Sequence, residues 1–222
     1  MKLYHGSDKI IEKPAFGKGK PFNDYGLGFY CTEDFDLAGE WAVSAKRDGY
    51  INEYSIDTRR LSVLDLNASD YCILDWLEVL LENRRFDIQS DFGEEASGYL
   101  RANFGADYGR YDLIKGYRAD DSYFSFAQDF LNNAISLSTL EKAMKLGLLG
   151  EQIVLKSKKA FSALTFRKAY NAESITYYPG KEKRDAKARN DYKTLRRQPW
   201  KKGEIYMMHI LEKEMKRDDL RI

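Results

Sequence analysis

The stretch Asn23-Asp24-Tyr25-Gly26-Leu27-Gly28-Phe29-Tyr30-Cys31-Thr32-Glu33-Asp34 decides how this chain is read, because it passes from turn to strand to helix start within a few residues. Gly26 and Gly28 mark a turn or a close backbone approach, and Phe29 to Thr32 is a run of strand-forming residues. Thr32-Glu33-Asp34 supplies capping chemistry for a helix predicted from about Asp34 to Arg47, with Leu37, Ala38, Trp41 and Ala45 on one face. Upstream, Lys2 to Tyr4 reads as a short strand ending at His5. The polar, Gly-, Pro- and Lys-rich stretch from Gly6 to Gly28 reads as a long ordered loop.

Downstream, Tyr50 to Asp57 and Leu61 to Leu66 alternate or cluster apolar residues around an Asp57-Thr58-Arg59-Arg60 turn, as two antiparallel strands would. Tyr71 to Asn83 has helical spacing, and Phe124 to Leu146 holds further helical segments. Asp87 to Gly109 between them lacks periodicity. Tyr111 to Lys115 and Gln152 to Lys156 are the remaining strands, and a short helix is predicted from Ser157 to Leu164. Asp120 and Asp121 read as caps of the helix carrying Phe124 and Phe126, or as carboxylates near a site. Ile205 to Met215 reads as a closing amphipathic helix.

At 222 residues, 43% hydrophobic and 32% charged, the composition is that of a globular protein, with no apolar run of membrane-spanning length. The N-terminus carries no charged leader followed by an apolar stretch, so the expectation is a cytoplasmic protein with no membrane partner. Cys31 and Cys72 fit neither a metal knuckle nor a redox pair and are read as buried packing residues. With only two histidines, no metal is expected. The formal charge of +1 excludes a uniformly basic nucleic-acid binder, yet Gly180 to Lys202 holds ten Lys/Arg against three Asp/Glu, a local excess of +7.

Three separated segments carry the chemistry: Leu3-Tyr4-His5-Gly6-Ser7, the stretch from Asn23 to Asp34, and Gly150-Glu151-Gln152-Ile153-Val154-Leu155. The first resembles the His-Gly-Ser strand of the poly-ADP-ribose polymerase and diphtheria-toxin branch of ADP-ribosyltransferases. The second resembles that branch's Gly-x-Gly-aromatic-Tyr strand. The chain is more closely similar to a bacterial family assigned to the same superfamily, in which Asp-Tyr/Phe-Gly-x-Gly-Phe-Tyr and a late Gln-Ile/Val strand recur. The resemblance covers roughly residues 1 to 167.

It implies an α+β, ADP-ribosyltransferase-like fold in which two small, mostly antiparallel sheets form an NAD cleft, with helices around them. It also implies NAD as substrate and His5, Tyr30 and a third residue, Gln152 or Glu151, as the catalytic set. Cleavage of the nicotinamide bond develops oxocarbenium character on the ribose, so a site must immobilise that sugar. His5 would hold a ribose hydroxyl, Tyr30 would stack on the nicotinamide ring, and Trp41 or a neighbouring aromatic would complete the sandwich. Gly6 would let its backbone approach the nicotinamide amide, Ser7 would offer a hydroxyl, and Asp24, Gly26 and Gly28 would border the dinucleotide. Where the superfamily has a Glu that can act as a base, this chain has adjacent Glu151 and Gln152, which strand alternation sends to opposite faces. Gln152 is favoured by the closer similarity, and a Gln cannot take a proton.

These readings give residues 1–178 as an NAD-binding domain and 179–222 as a basic helical appendage. The expected activity is mono-ADP-ribosylation of a macromolecule, as a toxin or defence effector with a cognate inhibitor protein. An NAD glycohydrolase and a non-catalytic nucleotide-binding module are the alternatives. Arg196, Arg197, Lys201 and Lys202, beside Trp200, are the candidate nucleic-acid contacts, the other readings being a solvated helix or a protein-docking surface.

Overall fold

The computed structural model describes residues 1–88, 90–119, 121–146 and 150–220, with residues 121–123 described by their backbone alone. The fold is α+β, with two small, mostly antiparallel sheets and eight α-helices among the described residues. The strands are β1 (Lys2–Ser7), β2 (Phe29–Cys31), β3 (Gly49–Ile56), β4 (Val63–Asp65), β5 (Leu113–Tyr117), β6 (Glu151–Leu155) and β7 (Leu164–Ala172). The helices are α1 (Phe35–Ala42), α2 (Ile73–Asn83), α3 (Asp91–Asn103), α4 (Asp121–Leu131), α5 (Leu137–Ala143), α6 (Lys158–Ala163), α7 (Ser174–Arg196) and α8 (Met207–Glu212). Two compact units divide the chain: Met1–Asp65, Asp107–Arg118 and Leu149–Arg184 form one, and Leu66–Ala106, Ala119–Leu148 and Asp185–Ile222 form the other. Residues 179–222 are thus shared between them, and Tyr178-Pro179-Gly180 lies inside α7.

The first unit holds both sheets, ordered β1-β3-β7 and β2-β6-β5-β4. Every pairing is antiparallel except β4 with β5. Alternation along the strands sends Leu3, Phe29, Cys31, Tyr54, Ile153 and Leu155 into one apolar cluster. On the other face of β1 and β3, α1 packs through Ala38 and Ala42 against Ile51 and Ala172. The Asp34 side chain caps α1 by accepting from the Leu37 N–H at 2.9 Å.

Several elements differ from the sequence reading. Residues 50–57 and 61–66 do not form a hairpin: β3 pairs with β1 and β7, while β4 joins the other sheet, parallel to β5. The Asp57 carboxylate engages Arg59 two residues on, and the Leu61 N–H bonds the Thr58 carbonyl, so the turn sends the chain out of the first sheet. Helix α1 stops at Ala42 instead of Arg47 because Ser44 and Arg47 exchange backbone hydrogen bonds of 3.0 and 3.2 Å. Residues 87–109 contain helix α3, capped by Ser90 through the Gly93 N–H at 3.0 Å. Strand β7, absent from the sequence reading, completes the first sheet. Helix α8 is shorter than residues 205–215. Cys31 is buried as expected, with burial pushing its thiol far above the usual range, whereas Cys72 is half-buried at the N-cap of α2. Asp120 and the side chain of Asp121 lie outside the described residues.

The second unit is helical among its described residues. Trp76, Leu77 and Leu80 of α2 are buried, and the fully buried Asp75 receives Arg217 in a two-oxygen contact at 2.9 Å and the Gly105 N–H at 3.0 Å. Burial, aided by Glu82, raises the pKa of neighbouring Glu78 from 4.5 to about 7, with Arg101 opposing. The folded protein therefore holds a proton that the unfolded chain has already released above pH 4.5, so Glu78 lowers stability progressively as pH rises through 4.5 to 7. Glu78→Gln is expected to raise the free energy of unfolding by roughly 1–2 kcal/mol at about pH 8 and to leave it unchanged near pH 4. Urea titrations at the two pH values check this; the same gain at both would show that ionisation is not the cause.

Candidate functional site

The two sheets of the first unit meet at a backbone bridge, where Tyr4 and Thr32 exchange N–H to carbonyl bonds of 2.8 and 2.9 Å. Beyond it β1 and β2 part. Continuing the bridge's register would set Gly6 opposite Tyr30, and no pairing forms there. Because strand backbone groups alternate in direction, Gly6 presents its N–H and carbonyl to the same edge as Tyr4, into the space between the strands. A Cβ on Gly6 would stand 2.0 Å from the Ala38 carbonyl oxygen of α1, so only glycine lets the helix lie against this strand.

His5 sits at the start of the split. Its Nδ1 lies 2.6 Å from the Tyr30 carbonyl oxygen, and its ring is 4.3 Å from that of Phe29. A carbonyl oxygen only accepts, so Nδ1 carries the proton and donates, which leaves Nε2 as an acceptor. Burial lowers the imidazole pKa below its ordinary 6.5 and outweighs the bond to Tyr30, so the ring stays neutral at pH 7. The Ser7 hydroxyl donates to the Lys9 carbonyl at 2.5 Å and accepts from Asn52. Asn52, fully buried on β3, organises the segment after β1. Its Oδ1 accepts from the Ile11 N–H at 2.8 Å, and its Nδ2 lies within 3.3 Å of the His5 carbonyl, the Ser7 hydroxyl and the Lys9 carbonyl.

Tyr30 faces the opposite side of its sheet from Phe29 and Cys31 and shares that side with Val154 and Gln152 of β6. Its hydroxyl donates to the Gly26 carbonyl at 2.6 Å and accepts from the Tyr25 N–H at 3.1 Å. Gly26 makes that turn with φ of 68°, and Gly28 lies so close to β6 that a Cβ would be 2.5 Å from Val154 Cγ1. Lys156 straps the turn from below, donating to the carbonyls of Tyr25 at 2.5 Å and Leu27 at 2.7 Å, and desolvation lowers its pKa. Gln152 is buried and donates from Nε2 to Asp24 Oδ2 at 2.7 Å. Glu151 points the other way and pairs with Lys115 at 2.8 Å.

On the His5 side of the split lies a cleft of 720 Å³, within the roughly 300–1,000 Å³ usual for ligand pockets. His5, Gly28 and Tyr30 border it. Five lysines, Lys9, Lys13, Lys18, Lys20 and Lys156, line it against one acidic residue, Asp8, together with the rings of Phe16, Phe29 and Phe161. In the sequence Lys9, Lys13, Lys18 and Lys20 read only as part of a Lys-rich loop, where Asp8, Glu12 and Asp24 offset them along the chain; Glu12 and Asp24 do not line the cleft.

Of the remaining candidates in the first unit, Asp24, Gly26, Gly6, Ser7, Trp41, Glu151 and Gln152 do not line this cleft. Trp41 lies under the Arg118 guanidinium at 4.9 Å, and its buried Nε1 has no hydrogen-bond partner among the described residues. In the second unit, Arg196 pairs with Asp129 at 3.3 Å, whereas Arg197, Lys201, Lys202 and the 64% exposed Trp200 project to solvent. No helix among the described residues is long and apolar enough to cross a membrane.

Together these features define an α+β protein with a ligand-sized basic cleft where its two sheets part. The chain belongs to the DUF3990 family, described as a protein of unknown function, which it matches over residues 1–166. That stretch includes the whole cleft and ends within β7. No curated protein and no solved structure matches the chain.

Proposed function

We propose that this protein is an NAD-dependent mono-ADP-ribosyltransferase with an ADP-ribosyltransferase-like fold, acting on a macromolecular acceptor. The observation that carries the reading is the split itself: the His5-Gly6-Ser7 strand and the Gly26-x-Gly28-Phe29-Tyr30 strand share one bridge and then part. The residues suit a dinucleotide. Neutral His5 offers Nε2 to a ribose hydroxyl, the open edge of Gly6 offers one donor and one acceptor to a carboxamide, and the lysines of the cleft match a pyrophosphate.

The chemistry asks little of an acid. The bond between the ribose C1′ and the nicotinamide nitrogen breaks, its electron pair leaves with neutral nicotinamide, and the acceptor's nucleophile bonds to C1′ and loses its proton to solvent. The protein's task is to hold the ribose and keep C1′ open to attack. Gln152 can orient a hydroxyl and cannot remove a proton, which suits an acceptor that is itself nucleophilic. The same residue favours a second reading, a nucleotide-binding module that performs no cleavage.

Incubating the purified protein with NAD separates the two. Nicotinamide release supports the enzyme, and binding without release supports the module. Labelled NAD with a lysate, followed by separate protease and nuclease treatment, identifies the acceptor. Nuclease-sensitive label would make the acceptor a nucleic acid, with Arg197, Lys201 and Lys202 the residues to neutralise next, and free labelled ADP-ribose alone would make the protein an NAD glycohydrolase.

A further inference from the structure

Asp24 and Gln152 are 5% and 4% exposed, and they meet through a hydrogen bond from Gln152 Nε2 to Asp24 Oδ2 at 2.7 Å. A primary amide has one donor end and one acceptor end, and nothing in the amide itself decides which faces where. A carboxylate oxygen decides it: the NH₂ must face Asp24, so Oε1 is turned away from it.

We propose that Asp24 is a positioning residue that fixes the Gln152 amide with its oxygen available on the Tyr30 side of the sheet, where it accepts a hydrogen bond from a ribose hydroxyl. This role rests on the NAD reading above. A glutamate at the third position would offer an acceptor oxygen whichever way it turned, whereas a glutamine does so only when its amide is held one way. The bond to a carboxylate also polarises the amide and strengthens its oxygen as an acceptor.

The surroundings show that Asp24 is held in place. Adjacent Tyr25 is fully buried, its hydroxyl donates to the Tyr117 carbonyl at 2.6 Å, and its ring lies over Gly116, the β5 residue opposite Gln152. A Cβ on Gly116 would be 2.2 Å from the Tyr25 hydroxyl oxygen, so a side chain there would dislodge Tyr25 and with it Asp24. Tyr30 and Lys156 grip the same turn through the Tyr25 N–H and carbonyl.

The test uses three variants of the full chain, each followed by nicotinamide release and a thermal melt. Asp24→Asn keeps shape and one hydrogen bond but no longer dictates which end of the amide it meets. Its melt should match wild type while kcat falls on the order of tenfold and KM changes less. Gln152→Glu places two carboxylates in contact, so one is held protonated and the pH profile should gain a new limb at raised pH. Combining the two substitutions restores a donor facing an acceptor, with the introduced asparagine amide now the donor, and should bring turnover back to within about threefold of wild type. A purely structural pair would leave Asp24→Asn at full turnover; that result, or a double variant no better than Gln152→Glu alone, overturns the proposal. A wild type that releases no nicotinamide overturns the transferase reading itself, and the role of Asp24 with it.

Discussion

Replacing His5 by alanine is expected to lower nicotinamide release by on the order of a hundredfold while leaving the fold intact. The His5 ring ties β1 to β2 through its bond to the Tyr30 carbonyl, and its Nε2 is the acceptor assigned to the ribose. Losing that acceptor leaves C1′ unaligned, which lowers the rate more than it weakens binding. Tyr30→Ala is expected to match it, because it removes both the ring proposed to stack on nicotinamide and the hydroxyl that closes the Gly26 turn. Tyr30→Phe separates these roles by retaining the ring, and an intermediate loss is expected. On the proposed reading His5 must be neutral, and because its pKa lies below 6.5, turnover should fall only on the acid side of that value. Release at wild-type rate by His5→Ala and Tyr30→Ala, with normal melts, would remove the split as the site of chemistry.

The second large effect concerns stability. Gly6→Ala would place a methyl group 2.0 Å from the Ala38 carbonyl oxygen and 2.7 Å from the Ala42 nitrogen, both backbone atoms of α1. Backbone cannot swing aside as a flexible side chain can, so the helix must shift off the sheet, at a cost of about 3 kcal/mol or more. Gly98 is the control. It lies within α3 with nothing within 4 Å of the place a methyl group would take, so Gly98→Ala should stabilise the protein by about 0.5–1 kcal/mol through helix propensity. Chemical denaturation of both variants checks the pair, and a Gly6→Ala protein as stable as wild type would mean that α1 is not seated against β1.

Elements with strong local signals were legible in the sequence. The Thr32-Glu33-Asp34 cap, the apolar spacing of α2 and the short apolar runs of β5 and β6 each follow from near neighbours. Strand β7 was not legible, because Arg167 and Lys168 interrupt its alternation and split its apolar residues between two clusters, Leu164 and Phe166 on one and Tyr170 and Ala172 on the other. Helix α3 was hidden by Gly93 and Gly98, and only Gly93, Ala96, Ser97 and Leu100 are buried along it. The exchange of β4 from an expected hairpin to the other sheet depends on a partner, β5, that lies far along the chain. In the candidate site, His5, Tyr30 and Gln152 stood out as residue types in motifs. Asn52 and Lys156 did not, since an isolated Asn within a strand or Lys at the end of one signals nothing until its distant carbonyl partners are known.

Asn52 also bears on how the cleft meets a ligand. By tying β1 to Ile11 and Lys9, it fixes the root of the lysine-bearing segment before any ligand arrives. The conformational entropy of ordering that root is therefore lost during folding and is not subtracted from the binding free energy. Association should then proceed at a rate set by diffusion and the attraction of the lysines for phosphate, slowing with added salt, without a preceding loop rearrangement. In stopped-flow experiments the observed rate should rise linearly with ligand concentration, without the plateau that a slow closing step imposes.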